Sequence, residues 1–213
     1  MVTILMPLHN GVEFLDESLT SVRNQTYSNW EVLIGVNGWE SNSDVFKRAW
    51  DLADRKVQVL DMSTIGKSDT LNAMLEYASF DVACLLDVDE YWLPSKLEKQ
   101  IFLINEFDVV GTWCQYFGDR ADSPALPEGE ISPKTFMRGN PIINSSSMFA
   151  VGDAHWNKKY EGVEDYEMWL RLNYEKKTFF NIGDKLVYHR IHKKSAFNTK
   201  TYNLEELREL WPV

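Results

Sequence analysis

The reading of this chain turns on Val82-Ala83-Cys84-Leu85-Leu86-Asp87-Val88-Asp89-Glu90. Five apolar residues run without a break, and acids then arrive abruptly. An unbroken short apolar run is what a strand buried on both faces looks like, and such strands belong to parallel sheets covered by helices. Working outward, Val2 to Met6 is a similar run ended by Pro7, followed by Val12, Leu15, Leu19 and Val22 at helical spacing. Trp30 to Val36 predicts a second strand, Ser43 to Asp54 a helix and Val57 to Leu60 a third strand. Leu71, Met74, Leu75 and Ala78 then fall on one helical face. This strand and helix alternation predicts an α/β fold with a mainly parallel central sheet and helices on both faces.

Downstream the pattern loosens. Leu97, Ile101 and Ile104 predict a helix after Pro94, and Phe107 to Phe117 a long β run. Residues 118–134 are rich in Pro, Gly and acids and read as a mobile loop. Beyond lie a strand-like stretch from Ile142 to Val151, a helix from Glu164 to Glu175, two short β runs (Lys177 to Ile182 and Lys185 to Ile191) and a helix near Leu204 to Leu210. No internal repeat and no second core set off by a linker is visible, so residues 1–213 read as one domain with a smaller antiparallel C-terminal part.

Composition narrows the function. Of 213 residues, 22 are Lys or Arg and 32 are Asp or Glu, a net charge of −10. That balance argues against a nucleic-acid face and against a polybasic membrane anchor. An acidic chain handling an anionic ligand needs a source of positive charge, most simply a metal ion. Cys84 and Cys114 both sit in apolar runs and read as inert buried thiols in a reducing compartment. The N-terminus does not read as a signal peptide, and no run approaches the ~20 apolar residues a spanning helix needs. The sequons at Asn24 and Asn144 are therefore taken as chance, and the expectation is a soluble cytoplasmic protein.

Several familiar chemistries lack their motifs. Gly66-Lys67-Ser68 is not a phosphate-binding P-loop, because position 61 is Asp where that loop needs Gly. No G-x-G-x-x-G follows the first strand, and H-E-x-x-H and G-x-S-x-G are absent. Two acidic groups survive. Asp87 and Asp89 stand where a buried strand gives way to a loop, the edge at which open α/β sheets bind ligands. Two carboxylates there suit a hard divalent cation that keeps positions open for phosphate oxygens, and that placement favours the metal reading over a solvated turn. In Glu161-Gly162-Val163-Glu164-Asp165-Tyr166-Glu167 the acids Glu164, Asp165 and Glu167 occupy a first helical turn, where on these residues alone capping is the favoured role and general base the alternative.

Taken together these segments resemble family 2 glycosyltransferases. Asp87-Val88-Asp89 and, about 75 residues later, Glu164-Asp165-Tyr166-Glu167-Met168-Trp169-Leu170-Arg171 resemble the family's paired signatures. Thr3 to Asn10 resembles its opening strand and P-x-x-N turn, Gln25 to Val32 its Q-x-Y-x-x-x-E-V segment, Gly66 to Asn72 its G-K-x-x-x-L-N helix start, and Arg190 to Ser195 its R-x-H-x-x-S segment. The match runs in order from residue 3 to about 195. One departure is Val36-Asn37-Gly38-Trp39 where the family usually has Asp-Asp-Gly-Ser. The glycosyltransferase domain of capsid-glycosylating multidomain proteins from large algal viruses is also similar, which implies further domains and, if the chain is viral, the host cytoplasm.

The resemblance implies a GT-A type, Rossmann-like fold with a nucleotide-binding half (1–90), an acceptor and catalytic half (91–200) and a C-terminal helix (201–213). It implies an inverting, metal-dependent enzyme that moves a sugar from a nucleotide-diphosphate donor, most often UDP-linked as in UDP-glucose or UDP-rhamnose, to a glycan or glycoprotein hydroxyl. Pro7, His9, Asn37 and Asp61 would surround base and ribose. Lys67, Ser68, Asn72, Arg190 and His192 join the donor site, Lys67 meeting the diphosphate together with backbone N–H groups. Asp89, Asp87 and His189 would hold Mn²⁺ or Mg²⁺, with His192 the other histidine candidate. Asp165 would be the base and Glu164 its substitute. Trp39, Trp113, Tyr116 and Trp156 are candidates for stacking on sugars, with core packing favoured for Trp113, and the 118–134 loop is a candidate lid. Two alternatives stay open: a sugar nucleotidyltransferase and a non-catalytic carbohydrate-binding or scaffold domain.

Overall fold

The computed structural model describes residues 1–62, 66–192 and 203–212. Strands β1 (Val2–Leu8) and β2 (Trp30–Asn37) are buried along their whole length, as their apolar runs require. They pair in parallel, Val2 opposite Trp30 through Leu8 opposite Val36. Strand β3 (Val57–Met62) joins β2 and strand β4 (Val82–Leu85) joins β1, both parallel. Successive residues of a strand face opposite sides, so each strand serves two cores. Ile4, Met6, Val32 and Ile34 pack with Leu15, Leu19 and Val22 of helix α1 (Leu15–Arg23), with helix α2 (Asp44–Trp50) alongside. Leu5 and Leu33 pack with Leu71 and Met74 of helix α3 (Lys67–Leu75). The approach of α3 explains Gly35, where an added Cβ would run into the Met74 side chain.

The second half continues the same sheet. Strand β5 (Tyr91–Trp92) and helix α4 (Lys96–Leu103) follow the acidic turn, then β6 (Val109–Gly118), β7 (Gly129–Glu130), β8 (Met148–Ala150), helix α5 (Glu164–Tyr174), β9 (Phe179–Ile191) and helix α6 (Leu204–Leu210). The spatial order is β3-β2-β1-β4-β8-β6-β9-β5, with β7 on β9. Strand β8 is antiparallel to both β4 and β6, while β6 and β9 are parallel to each other. The consequence is directional: β1, β2, β3, β4, β6 and β9 all point their carboxyl ends at one rim.

Three local expectations change. The two short β runs near the end form one strand, β9, because Gly183 and Asp184 are looped out of register: Thr112 pairs with Ile182 and Trp113 with Lys185. Of the strand-like stretch Ile142 to Val151, only Met148–Ala150 is strand, because the serines before it bond across to other backbone. Ser146 Oγ accepts from Thr112 N at 3.2 Å and Ser145 Oγ from Asp87 N at 3.0 Å. Segment 118–134, expected as a mobile loop and a candidate lid, is bonded to the sheet at several points. Tyr116 N donates to Asp122 O, Ile131 N to Phe179 O, and Pro127 O accepts from both Trp113 Nε1 and Asn181 Nδ2.

Candidate active site

Asp87 and Asp89 leave β4 at the common rim in a turn closed by Glu90 N donating to Asp87 O at 3.1 Å. Lys67, the first residue of α3, puts Nζ 2.6 Å from Asp87 Oδ1 and 4.0 Å from Glu164 Oε1. Burial alone would lower this lysine's pKa, but the charges of Asp87, Glu164 and Asp165 hold it well above its usual value. One ammonium therefore ties the acids after β4 to the acids that open α5. Asp165 is raised as well, here toward its neutral form: burial and then the neighbouring Glu164 charge push it up to about 6, against the Tyr166 N–H, Lys67 and Asn140. Asn140 Nδ2 donates to Asp165 Oδ2 at 2.9 Å and so orients the carboxylate.

Glu161 enters from the same loop. Its carboxylate accepts from the Lys67 backbone N–H, filling the head of α3. Gly66 makes this possible, since its φ is +107° and an added Cβ would lie 3.0 Å from each Glu161 carboxylate oxygen.

On the other side, Asp89 Oδ2 lies 3.1 Å from His192 Nε2, and Asp89 O accepts from Arg190 Nε at 3.0 Å. The Arg190 guanidinium is held between the rings of Phe14 and Phe117, 4.3 Å from each, and also pairs with Glu17. His189 points to the opposite face of β9 and is paired with the buried Glu90. Burial alone would lower its pKa, yet Glu90 above all, with Asp87 and Asp89, raises it to about 9. Of the two histidines, His192 thus stands at Asp89 and His189 at Glu90.

The residues expected around a base converge on three neighbouring strand ends. Pro7 is near the end of β1, and His9 just beyond it has Nδ1 3.0 Å from Asn37 O. Asn37 Nδ2 donates to Leu8 O at 3.3 Å, and Asp61 lies exposed on β3 opposite Val36. Ser68 and Asn72 sit behind the rim. Ser68 is fully buried with an enclosed hydroxyl, and the Asn72 amide clasps the Trp156 backbone through two bonds of 2.7 and 2.9 Å. Trp156 is core, Tyr116 is nearly so, and Trp39 is 40% exposed with its indole N–H on His9 O.

Sequence reading missed Asn140, Ser145 and Glu161. Asn140 lies in no motif, and Glu161 and Ser145 lie in segments whose pattern gives them no such role; the backbone or side chain each one serves is 25, 58 or 94 residues away. Among the described residues no three His, Cys, Asp or Glu side chains gather closely enough to hold a metal unaided. None of the described helices is long and apolar enough to cross a membrane. A shallow concavity of about 470 Å³ opens between Lys99 and Leu103 on α4 and Phe180 to Asp184 on β9, and none of the rim residues lines it.

Among the described residues a nine-stranded, mostly parallel α/β sheet with paired acids at its carboxyl rim defines the GT-A fold. More particularly, the chain belongs to Glycosyl transferase family 2, which it matches over residues 3–161. It is 31% identical to the Escherichia coli UDP-Glc:alpha-D-GlcNAc-diphosphoundecaprenol beta-1,3-glucosyltransferase WfgD, covering 100% of this chain and 85% of that one. It is 27% identical to the O-antigen biosynthesis glycosyltransferase WbnJ of Escherichia coli, covering 97% and 88%. The fold is that of Staphylococcus aureus TarS 1-349 in complex with UDP-GlcNAc, with a TM-score of 0.73 at 15% identity over 98% of this chain and 64% of TarS. It is also that of the mannosyltransferase PcManGT from Pyrobaculum calidifontis in complex with GDP-Man and Mn²⁺, with a TM-score of 0.67 at 14% identity over 92% and 58%. The chain thus spans about 60% of the length of these solved structures.

Proposed function

We propose that this chain moves a hexose from a UDP-linked donor to a hydroxyl of a saccharide acceptor in the cytoplasm, with inversion at the anomeric carbon and with Mn²⁺ or Mg²⁺ at the diphosphate. The observation that carries the reading is the cluster in which Lys67 joins Asp87 to Glu164 and Asp165 at the rim. The names of WfgD and of the TarS complex support a uridine nucleotide, and that of the PcManGT complex supports the metal.

The donor atoms fit a divalent ion. Asp89 Oδ2 and His192 Nε2 are 3.1 Å apart, a separation suited to two adjacent ligands of one small cation, while Asp87 is engaged by Lys67. So few protein donors leave positions for diphosphate oxygens. Bound there, the ion supplies Lewis-acid stabilisation of the departing nucleotide. His9, Asn37 and Asp61 hold base and ribose, and Lys67 adds charge at the phosphates. Asp165, largely ionised at neutrality and aimed by Asn140, takes the proton of the attacking acceptor hydroxyl. Incubation of UDP-glucose or UDP-GlcNAc with Mn²⁺ and a saccharide acceptor such as cellobiose tests the reading. Release of UDP with a new glycoside is expected, whereas formation of UTP from UDP-glucose and added pyrophosphate, or no nucleotide binding at all, would overturn it.

A further inference from the structure

Beside Asp89 the rim carries a group of aromatic rings that no motif announced. Tyr91 of β5 and Tyr188 of β9 are directly opposite in the ladder, and their rings stack at 4.7 Å with 10° between planes. Phe117 of β6 stands edge-on to both, 5.1 Å from Tyr91 and 6.1 Å from Tyr188. Its other neighbour is the Arg190 guanidinium, which bonds to Asp89 O. The rings therefore continue the rim outward from the acidic turn along the edge strand of the sheet.

Two properties separate this group from the other ring clusters. Phe149, Trp156, Trp169 and Phe179 meet in a closed core, whereas Tyr91, Phe117 and Tyr188 are only half-buried. Among the described residues neither the Tyr91 nor the Tyr188 hydroxyl takes part in a hydrogen bond, and neither is enclosed. Alternation along β9 explains the arrangement: Val187 and Ile191 fill the core beneath α1, so Tyr188 faces the other way.

We propose that Tyr91, Phe117 and Tyr188 form an acceptor subsite that binds a pyranose ring of the saccharide being extended, a reading that rests on the glycosyltransferase function above. The chemistry matches a neutral sugar. Aromatic faces cover the apolar C–H face of a pyranose, while two open phenol hydroxyls donate to and accept from its hydroxyls. A neutral ligand also suits a chain of net charge −10. Because the rings flank Asp89 and not Asp165, the sugar held here is a unit distant from the attacking hydroxyl, and the subsite sets affinity for longer acceptors.

Saturation-transfer NMR with methyl β-D-glucopyranoside, N-acetylglucosamine and cellobiose tests this, using wild type, Tyr188→Leu and the double variant Tyr91→Phe/Tyr188→Phe, which keeps the stack and removes both hydroxyls. The expected result is sugar signal in wild type, at least fivefold weaker in both variants, with UDP affinity in Mn²⁺ unchanged within twofold. No sugar signal, or equal signal in all three proteins, overturns the subsite. Light scattering that shows a wild-type dimer lost in Tyr188→Leu also overturns it, since the face is then a contact between copies. Sugar binding without UDP binding would sink the donor reading and leave the subsite standing.

Discussion

Asp165 is legible as a site residue only through its company. On sequence alone it reads as one of three acids in a first helical turn, for which capping suffices. In the fold it is half-buried, pushed up to about 6 by desolvation and then by Glu164, and held by Asn140. A base must be deprotonated to act, so kcat/KM is expected to fall as pH drops through about 6 and to level off above 7, which a pH–rate profile checks. Asp165→Asn should lower kcat by ~10²- to 10⁴-fold with UDP affinity retained, as measured by turnover and calorimetry. Lys67 pulls the Asp165 pKa down, so Lys67→Met should move the acid limb of the same profile to higher pH. No movement would show that the two charges are uncoupled. Arg190 shows the limit of motif reading: its own spacing marks it out, but its grip by Phe14 and Phe117 comes from elements far away in sequence.

At the scale of elements, the parts that were readable are those whose apolar pattern is continuous. Strands β1 to β4 and helices α1, α3 and α5 lie where runs and helical spacing place them. Strand β5 is two residues long and owes its existence to pairing with β9, so no local pattern marks it. The break at Gly183-Asp184 looks like the end of a strand but is a register shift inside one. Helix α3 begins where it does because Gly66 adopts a backbone conformation other residues resist and lets Glu161 reach the helix. Gly66→Ala is therefore expected to destabilise the fold by about 1–3 kcal/mol, read as a lower midpoint in urea unfolding. An unchanged midpoint would mean that the loop yields at little cost.

At the scale of the whole molecule, the parallel direction of β1, β2, β3, β4, β6 and β9 collects the ends of six strands on one rim, and the strand order is what sequence could not disclose. The alternation of strands and helices implied a parallel sheet. It did not imply that β8 would run backwards between β4 and β6 and so return β6 and β9 to the common direction. The surplus of acids gains a local meaning from that rim, because Asp87, Asp89, Glu164 and Asp165 are concentrated there with Lys67 as the cation among them. Chelation with EDTA should abolish transfer and weaken UDP binding at least tenfold, with Mn²⁺ restoring both. Full activity in EDTA would assign the diphosphate to Lys67 and Arg190 alone.

The carboxylate of Glu161 at the head of α3 has a consequence for selectivity among anions. Backbone N–H groups at a helix start ordinarily welcome any phosphate or sulfate. Here a solute anion finds the berth taken by a group tethered to the chain, whose effective concentration no buffer matches. Inorganic phosphate or sulfate should therefore find no site at the head of α3, and any slowing they cause relative to chloride should act through the Lys67 ammonium and the metal ion.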